Sequence, residues 1–393
     1  MTRRSGFRLD WKVVAGILIS AVALVWALSG VNLAEVRRHL ADADPLMFLA
    51  SVLAATSLFA IRAFRWRPLL EPIRTGIGYR PRFAATCIGF MANNLLPARV
   101  GEFVRAFALG RMVDLPISAA FGTLVVERML DALVIVAFLF IAMASPDFPG
   151  TSSEVASVAR LMIAALVVGL IVLGLMVAWP RRAATIGTRI AGKVLPARAQ
   201  RPVVDALLAL LDGLAVLRSP RLLIAAVVWS VVLWLAGAFS FWLAFVAFDI
   251  DVPFSAALFL QSLIALGVSL PSAPGFFGVF EGFARLGLVQ VYGVDADHAI
   301  SFAVGFHIGG FIPITLMGLY YAWRFGLSRR ELLHSDELVE SAVESEHPEM
   351  APRGAASEGE APSGGARTGG GAAGGGAAGG GDRRSDDAPP LER

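Results

Sequence analysis

Lysine and cysteine are nearly absent from this sequence of 393 residues. Cys87 is the only cysteine, so the chain cannot form an internal disulfide. Lys12 and Lys193 are the only lysines among 34 basic residues. Arginine suits phosphate, because its planar guanidinium group donates two parallel hydrogen bonds. A genome rich in G and C would give the same bias, and composition leaves both explanations open.

Signatures of enzymes are also missing. The five histidines are scattered, and no His/Cys set has the spacing of metal ligands. Neither a P-loop nor a G-x-S-x-G motif is present. The formal net charge of +3 does not indicate a nucleic-acid partner, because the basic residues lie at the ends of apolar runs. We therefore expect no metal, no cofactor and no catalytic residue.

Apolar sequence is abundant, at 56% of the chain. Residues 222–248 carry no charge, and this run exceeds the ~20 residues that a helix needs to cross a bilayer. No alternating pattern typical of a membrane barrel is present. We therefore predict an all-α, polytopic helical membrane protein. Its apolar segments lie at about 13–30, 46–61, 83–110, 119–143, 159–179, 222–248, 254–290 and 299–323.

Basic residues predict the orientation of these segments. Arginine and lysine cluster before the first segment, in the connection 62–82, in the connection 180–221 and after the last segment. By the positive-inside rule these regions are cytoplasmic, as are both termini. The connections 145–157, 249–253 and 292–298 contain neither lysine nor arginine and should lie outside. The expected location is a bacterial inner membrane.

Two segments are broken by proline and glycine. Pro97 and Gly101 interrupt segment 83–110, and the stretch LPSAPGFFG interrupts segment 254–290. The orientation requires the first to enter and leave on the cytoplasmic side, and the second to enter and leave on the outer side. We predict two re-entrant hairpins in an inverted repeat, with about six full spans. Such interrupted segments in corresponding positions point to the binding site of a transporter.

Charged residues accompany both breaks. Glu102 and Arg105 follow Gly101, and Glu281 and Arg285 follow Gly278, at spacings that allow each pair to meet on one helical face. Half-helices that begin after the breaks would direct N–H groups into the membrane interior, where they and the arginines could bind phosphate. Glu281 and Arg285 could instead lie at the outer interface, satisfied by water. Asn93 and Asn94 could bond the broken backbone or join helices.

Three further charges lie inside segment 119–143. Glu127, Arg128 and Asp131 each cost about 2.5–3.5 kcal/mol or more at the centre of a bilayer if they are isolated. We expect Arg128 to pair with Asp131, and Glu127 to pair with Arg99 or Arg105. The alternative is that Glu127 and Arg128 reach the cytoplasmic interface. His307, in the last span, could be a core residue or belong to the site.

The last part of the chain changes character. Residues 331–360 are acidic and polar, and a Gly/Ala-rich run follows at 369–381. We expect a membrane domain at 1–330 and a disordered tail at 331–393.

The stretches NNLLPARVGEFVRAFALGR, VVERMLDALVIV and PSAPGFFGVFEGF, in that order, resemble the flippase-like transmembrane family. This family includes the transmembrane region of lysylphosphatidylglycerol synthases and stand-alone relatives, among them hopanoid-biosynthesis-associated membrane proteins. The resemblance covers about residues 10 to 325 and implies lipid translocation. The candidate substrate-binding residues, with Arg285 added from its spacing, are Asn94, Pro97, Arg99, Gly101, Glu102, Arg105, Glu127, Arg128, Asp131, Pro274, Gly275, Gly278, Glu281 and Arg285.

Three functions remain possible from the sequence. The first is a flippase that moves a phospholipid, a polyprenyl-phosphate or a hopanoid between leaflets. The second is a membrane glycosyltransferase that uses a lipid-linked sugar, with Asp249, Asp251 or Glu102 as its acid. The third is a non-catalytic partner of lipid-biosynthesis enzymes. Because the tail lacks room for the soluble aminoacyl-transfer domain of the bifunctional synthases, we expect no lipid aminoacylation and no enzyme activity.

Overall fold

The computed structural model describes residues 11–96, 100–149, 179–194, 219–269 and 272–328, with the single residues Val168, Gln200 and Glu331. Contacts divide the chain into a unit at Met1–Glu349 and a unit at Met350–Arg393, and every described residue belongs to the first. The predicted tail therefore lies outside the described residues apart from Glu331. The predicted span at 159–179 also lies outside them, except for Val168 and Trp179.

The described ranges contain eleven α-helices and no strand, which confirms the predicted all-α class. Their bounds are α1 Trp11–Leu28, α2 Leu33–Asp42, α3 Pro45–Leu70, α4 Tyr79–Leu95, α5 Gly101–Val113, α6 Ile117–Met143, α7 Pro180–Val194, α8 Pro220–Ala247, α9 Phe254–Gly267, α10 Val279–Arg285 and α11 Ala296–Arg324. A short 3₁₀ turn, Pro274–Phe276, precedes α10, and a π-helical segment, Leu286–Val291, follows it.

Several of these helices can cross a membrane. Within the described ranges, α3, α8 and α11 are long and apolar enough, and α1 with α2 would add a fourth span across a bend of 83°. Helix α6 has 27 residues, but it carries Glu127, Arg128 and Asp131. The chain is thus a multi-pass helical membrane protein by the length and composition of its helices.

Helix α3 is longer than its apolar run. Asp44 caps its start by accepting hydrogen bonds from the backbone N–H groups of Leu46 and Met47 at 2.8 and 2.9 Å. The helix continues to Leu70. The predicted connection at 62–82 is therefore helical over its first nine residues, and its cytoplasmic location stays a prediction. The run 46–61 is about 24 Å long at 1.5 Å per residue, too short to span a bilayer of ~30 Å by itself.

The first break produces a tight hairpin of α4 and α5. A Cβ atom on Gly101 would lie 2.4 Å from the side chain of Asn93 and 2.4 Å from the carbonyl oxygen of Gly89. A Cβ atom on Gly89 would lie 2.8 Å from Cβ of Arg105. These contacts run in opposite directions along the two helices, so α5 folds back on α4. Only glycine permits so close an approach of the two backbones.

The second break also folds back. Gly275 and Gly278 have φ angles of +71° and +84°, in the left-handed region that favours glycine. A Cβ atom on Gly267, the last residue of α9, would lie 2.3 Å from the ring of Phe283 in α10. Helix α1 covers this hairpin, because a Cβ atom on Gly278 would lie 2.1 Å from the carbonyl oxygen of Ser20.

Candidate functional site

Helices α3, α5 and α6 bring six charged side chains together in the interior. We call them the arginine cluster. They are Arg62, Arg65, Arg105, Glu127, Arg128 and Asp131. The four guanidinium groups exceed the two carboxylates, so the cluster has a formal charge of +2.

Glu127 lies at the centre of the arginine cluster. Its Oε1 atom is 2.7 Å from Nη1 of Arg105, 2.9 Å from Nη2 of Arg65 and 2.9 Å from Nη2 of Arg128. Its side chain is fully buried. A buried carboxylate requires paired cations and hydrogen bonds, and three arginines supply them to Oε1, while Oε2 has no hydrogen-bond partner among the described residues. The predicted pair of Glu127 with Arg105 is confirmed.

Asp131 forms the second acidic position, one turn along α6. It pairs with Arg65 and lies 2.9 Å from Nη2 of Arg128, which confirms the predicted Arg128–Asp131 pair. Its Oδ1 atom also accepts a hydrogen bond of 2.9 Å from the indole of Trp234 on α8. Arg65 is 0% exposed, so it holds α3 against α6 rather than reaching water.

Arg105 is fixed by an aromatic ring as well as by Glu127. Its Cζ atom lies 4.0 Å from the ring centroid of Trp66, a cation–π distance. The indole N–H of Trp66 donates to Oγ1 of Thr123 at 2.8 Å, which orients the ring. The side chain of Arg105 thus has little freedom to move.

A cavity of about 460 Å³ opens beside the arginine cluster. We call it the polar cavity. Its charged and polar lining residues are Arg62, Asn93, Glu102, Arg128, Asp131 and Ser269. The side chain of Arg128 is 42% exposed, and this exposure leaves its guanidinium group accessible. The four charged lining residues, Arg62, Arg128, Glu102 and Asp131, sum to zero, and the buried Arg65, Arg105 and Glu127 beside them bring the total to +1.

Several buried donors of the cluster have no hydrogen-bond partner among the described residues. They are Nη1 of Arg62, Nε of Arg65, and Nε and Nη2 of Arg105. Nη1 of Arg62 lies 3.7 Å from Oδ2 of Asp131, which is an ion-pair distance but not a hydrogen bond. Arg62 also lines the polar cavity, but its Nη1 atom is buried, so an acceptor there would reach this atom only after the side chain moves.

A second cavity, of about 270 Å³, adjoins the first. We call it the apolar cavity, because aliphatic and aromatic side chains form most of its lining. Asn94, Gln261 and His307 are among its few polar lining residues. Both cavities are lined by Phe90, Trp234, Ala265, Val268 and Phe276. A single amphipathic molecule could therefore occupy both.

The second hairpin supplies a buried Glu281–His307 pair. Nδ1 of His307 lies 2.7 Å from Oε1 of Glu281, and Nε2 lies 2.8 Å from the carbonyl oxygen of Gly275. The other carboxylate oxygen of Glu281 accepts the backbone N–H of Gly278 at 2.7 Å. This pair joins the broken segment to α11.

The spacings that allow Glu102 to meet Arg105 and Glu281 to meet Arg285 do not give the ion pairs that form. Arg105 pairs with Glu127 and not with Glu102, and Glu281 pairs with His307 and not with Arg285. Helical spacing identifies a shared face, but a buried cation takes the partner that packing places against that face.

Arg285 contacts the end of α1. Its Nη1 atom donates to the carbonyl oxygens of Trp26, Ala27 and Ser29 at 2.7–2.9 Å. It is not among the lining residues of either cavity. The structure therefore separates this predicted site residue from the others.

The half-helix N-termini are less available to a ligand than expected. The backbone N–H of Gly101 donates to Oδ1 of Asn93 at 2.9 Å, and that of Gly278 donates to Glu281. Asn94 lines the apolar cavity and donates to Oγ1 of Thr315 at 2.8 Å. Pro97 and Arg99 lie outside the described residues, and Pro274 begins the 3₁₀ turn.

Sequence reasoning missed Arg62, Arg65 and Trp234 as site residues. A signal for the arginines was available, because the run 46–61 is too short to span and the helix must continue through them. Arg62 and Arg65 then share a face at i,i+3. For Trp234 the sequence carries no signal, since it is one of several aromatic residues in the uncharged run 222–248.

The fold and the site together define a multi-pass helical membrane protein with a buried ionic cluster beside two adjoining cavities. A family model of the lysylphosphatidylglycerol synthase TM region matches residues 13–318. The chain belongs to this family, and the resemblance found in its three motifs is confirmed.

Curated relatives agree with this membership. The chain is 26% identical to a UPF0104 membrane protein of Methanothermobacter thermautotrophicus over 336 residues. The aligned region is 81% of this chain and 96% of that protein. A UPF0104 membrane protein of Methanocaldococcus jannaschii is 25% identical over 126 residues, 32% of this chain and 37% of that protein. A protein of Haloferax volcanii named Glycosyltransferase AglD is 29% identical over 150 residues, 37% of this chain and 23% of that protein.

Proposed function

We propose that this protein is a lipid transporter, a flippase that moves a lipid with an anionic, phosphate-bearing head group between leaflets. The observation that carries the proposal is the surplus of arginine in the cluster beside the polar cavity, which itself adjoins an apolar cavity. Arg62 and Arg128 would bind the phosphate, and the apolar cavity would hold the first part of a hydrocarbon chain. Phospholipids and polyprenyl-phosphates share this chemistry.

Charge favours an anionic head group over a cationic one. The four charged residues that line the polar cavity sum to zero, and the cluster residues buried beside them, Arg65, Arg105 and Glu127, add a charge of +1. A cation that enters a site of low dielectric constant beside a net positive charge is repelled. An anion would gain charge-assisted hydrogen bonds, which are about twice as strong as neutral ones.

We further infer that the hairpins α4–α5 and α9–α10 are re-entrant, enter from opposite faces and form an inverted repeat with about six spans. Both hairpins fold back at a break with close glycine contacts, and this supports the inference. Non-helical backbone at membrane depth requires protein or a water-filled cavity around it. The distribution of arginine supports cytoplasmic termini in a bacterial inner membrane.

The test is reconstitution of the full chain into vesicles with fluorescent lipid analogues that an external reductant bleaches. Wild-type protein should exchange a phosphatidylglycerol analogue well above protein-free vesicles, and more rapidly than an analogue with a cationic head group. Arg62→Gln should slow the exchange about tenfold, since a hydrogen bond to a charged group is worth about 1.5–3 kcal/mol.

Arg67→Gln is the matched control. Arg67 lies on the same helix as Arg62, but its side chain is 68% exposed and faces away from the cluster's buried interior. Its removal should leave exchange near the wild-type rate. Equal exchange by wild-type protein, Arg62→Gln protein and protein-free vesicles would end the proposal.

A second candidate is a membrane glycosyltransferase, supported only by the partial match to the protein named Glycosyltransferase AglD. Asp249 and Asp251 lie exposed between α8 and α9, and only Glu102 of the three suggested acids lines the polar cavity. Incubation of purified protein with lipid-linked sugar donors would distinguish the two. We propose that the protein is a transporter and not an enzyme, and that its partners are lipids and lipid-biosynthesis enzymes.

A further inference from the structure

The Glu281–His307 pair lies away from the arginine cluster, and the proposed lipid binding does not use it. Glu281 is 2% exposed and His307 is 9% exposed. His307 lines the apolar cavity, and it is the one titratable residue among the described residues of that lining. Its ring packs against Phe277 and Phe280, with centroids 4.7 and 4.4 Å away. A titratable pair in such surroundings calls for an explanation beyond packing.

The hydrogen bonds fix the number of protons in the pair. A carbonyl oxygen can only accept, so Nε2 of His307 must carry a proton and donate it to Gly275. Nδ1 and Oε1 of Glu281 then face each other at 2.7 Å. This contact requires one proton between them, carried either by imidazolium beside carboxylate or by a carboxylic acid beside neutral imidazole. In both cases the pair is neutral.

Loss of this proton would leave two acceptors facing each other, an arrangement that cannot persist. They are Nδ1 of His307 and Oε1 of Glu281 at 2.7 Å or, if the remaining imidazole proton moves to Nδ1, Nε2 and the carbonyl oxygen of Gly275 at 2.8 Å. Both partners hold the broken segment, His307 through the carbonyl of Gly275 and Glu281 through the N–H of Gly278. Gly275 and Gly278 have positive φ angles and sit at the turn itself. Deprotonation must therefore shift the turn that borders the apolar cavity.

The neighbouring titratable groups lie elsewhere on the helices packed around the pair. Arg285, one turn beyond Glu281, donates to the end of α1. Described residues 14–28 of α1 and all of α9 contain no titratable side chain. The remaining groups on α3, α4, α8 and α11 are Arg62, Arg65, Arg67, Tyr79, Arg80, Arg82, Cys87, Arg221, Asp297, His298, Tyr320, Tyr321 and Arg324. Two of these, Arg62 and Arg65, belong to the arginine cluster, and Cys87 packs beside Gly318, three helical turns from His307.

We propose that Glu281 and His307 together bind one exchangeable proton, and that this proton is coupled to lipid movement. The coupling rests on the proposed function, because the turn that responds to the proton borders the cavity assigned to the lipid chain. A proton gradient would then drive the lipid toward one leaflet. With one proton per lipid, a gradient of one pH unit shifts the equilibrium leaflet ratio up to tenfold.

The first experiment measures proton binding alone. Full-length protein in detergent, labelled with ¹⁵N-histidine and ¹³C-glutamate, is titrated by NMR from about pH 5 to about pH 9. One proton should leave the pair, and Glu281→Gln should abolish the change. His39 and His298, which stack on each other outside both cavities, provide reference resonances. Unchanged resonances of both partners across the range would overturn the proposal whatever the transport result.

The second experiment measures coupling. Vesicles with the full chain and a fluorescent phosphatidylglycerol analogue receive a gradient of one pH unit, while potassium and valinomycin hold the membrane potential at zero. The leaflet ratio should shift several-fold, toward the alkaline leaflet for co-transport and toward the acidic leaflet for exchange, and a protonophore should remove the shift. Exchange without any shift would overturn the coupling and leave the lipid transporter intact. Absence of exchange would overturn the proposed function and the coupling together.

Glu281→Gln is the matched variant for both experiments. Its amide oxygen can still accept the N–H of Gly278, and its amide N–H can donate to Nδ1 of His307, so it reproduces the protonated pair. The leaflet ratio at equilibrium does not depend on the rate, so a slow variant still reports coupling. A pH-driven shift in this variant equal to that of wild type would contradict the proposal. If the variant does not fold, the titration of the wild-type pair decides.

Discussion

Nη1 of Arg105 on α5 lies 2.7 Å from Oε1 of Glu127 on α6, and this contact ties the first hairpin to the long helix beside it. Both side chains are almost completely buried. The hairpin is therefore held by a charge pair as well as by close backbone packing. Arg65 and Arg128 contact the same oxygen, Oε1 of Glu127. Glu127 thus contacts three arginines, whereas Arg105 contacts one carboxylate, so the two members of the pair are not equivalent.

This asymmetry predicts an order of stability. Glu127→Gln leaves three arginines without their common carboxylate, and breaking a buried ion pair in this way costs about 3–5 kcal/mol. Arg105→Gln leaves Glu127 with two cations and should cost less. Thermal unfolding in detergent, followed by tryptophan fluorescence, measures both. The double variant should lose less than the sum of the two single losses. A larger loss for Arg105→Gln than for Glu127→Gln would contradict this geometry.

Gly101→Ala should open the first hairpin. The new methyl group would lie 2.4 Å from Asn93 and from the carbonyl oxygen of Gly89, and overpacking of this kind costs about 1–3 kcal/mol. The melting temperature in detergent reports the loss. Gly192→Ala in α7 is the control, because a Cβ atom there meets nothing within 4 Å. Its stability should be unchanged or slightly higher, as alanine favours helix. Equal behaviour of the two variants would refute the close approach.

Arg285→Gln should weaken the contact between α10 and α1. The guanidinium group donates to three carbonyl oxygens at the end of α1, where a cation also interacts favourably with the helix dipole. Hydrogen bonds to a charged group are worth about 1.5–3 kcal/mol, and the variant should lose an amount in this range. Arg285→Lys keeps the charge and should lose less. Limited proteolysis near residue 30 gives an independent reading, and unchanged cleavage in Arg285→Gln would argue against the contact.

The contacts of Glu331 predict that the stability of the segment after α11 depends on pH. The backbone N–H of Ser328, its hydroxyl group and the guanidinium group of Arg111 lower the pKa of Glu331 to about 2. Since this pKa is depressed below the usual 4.5, the stabilising contact is present above about pH 4.5 and is lost as the pH falls through about 2. Carboxyl ¹³C NMR measures the midpoint, with Glu331→Gln to assign the resonance. In Ser328→Ala the midpoint should rise, and an ordinary midpoint in the wild type would show that the contact is absent.

The sequence predicted the all-α membrane class, both breaks and the central charges of α6. It also predicted Arg128 with Asp131, and Arg105 as one of two partners for Glu127. These predictions succeeded because an apolar run, a proline and an intramembrane charge each restrict the local structure strongly. The ion pair of Arg65 was not predicted, because its partner Asp131 is 66 residues away and no local pattern indicates which helices pack together.

The role of His307 was left undecided for the same reason. The spacing allowed Glu281 and Arg285 to meet on one helical face, but the left-handed turn at Gly275 brings α10 against α11, where Glu281 contacts His307. Local spacing gives the face of a helix, whereas the identity of the neighbour depends on the turn.

The hydrogen bond from Arg285 to the carbonyl oxygen of Trp26 joins residues that are 259 positions apart, and this has a consequence for biogenesis. At a synthesis rate of about 5–20 residues per second, roughly 10–50 s pass between their emergence from the ribosome. During that interval the C-terminal carbonyls of α1 have no guanidinium partner. The docking of the second hairpin is thus a late step of insertion, and nascent chains that stall before it leave the first helix uncapped in the bilayer.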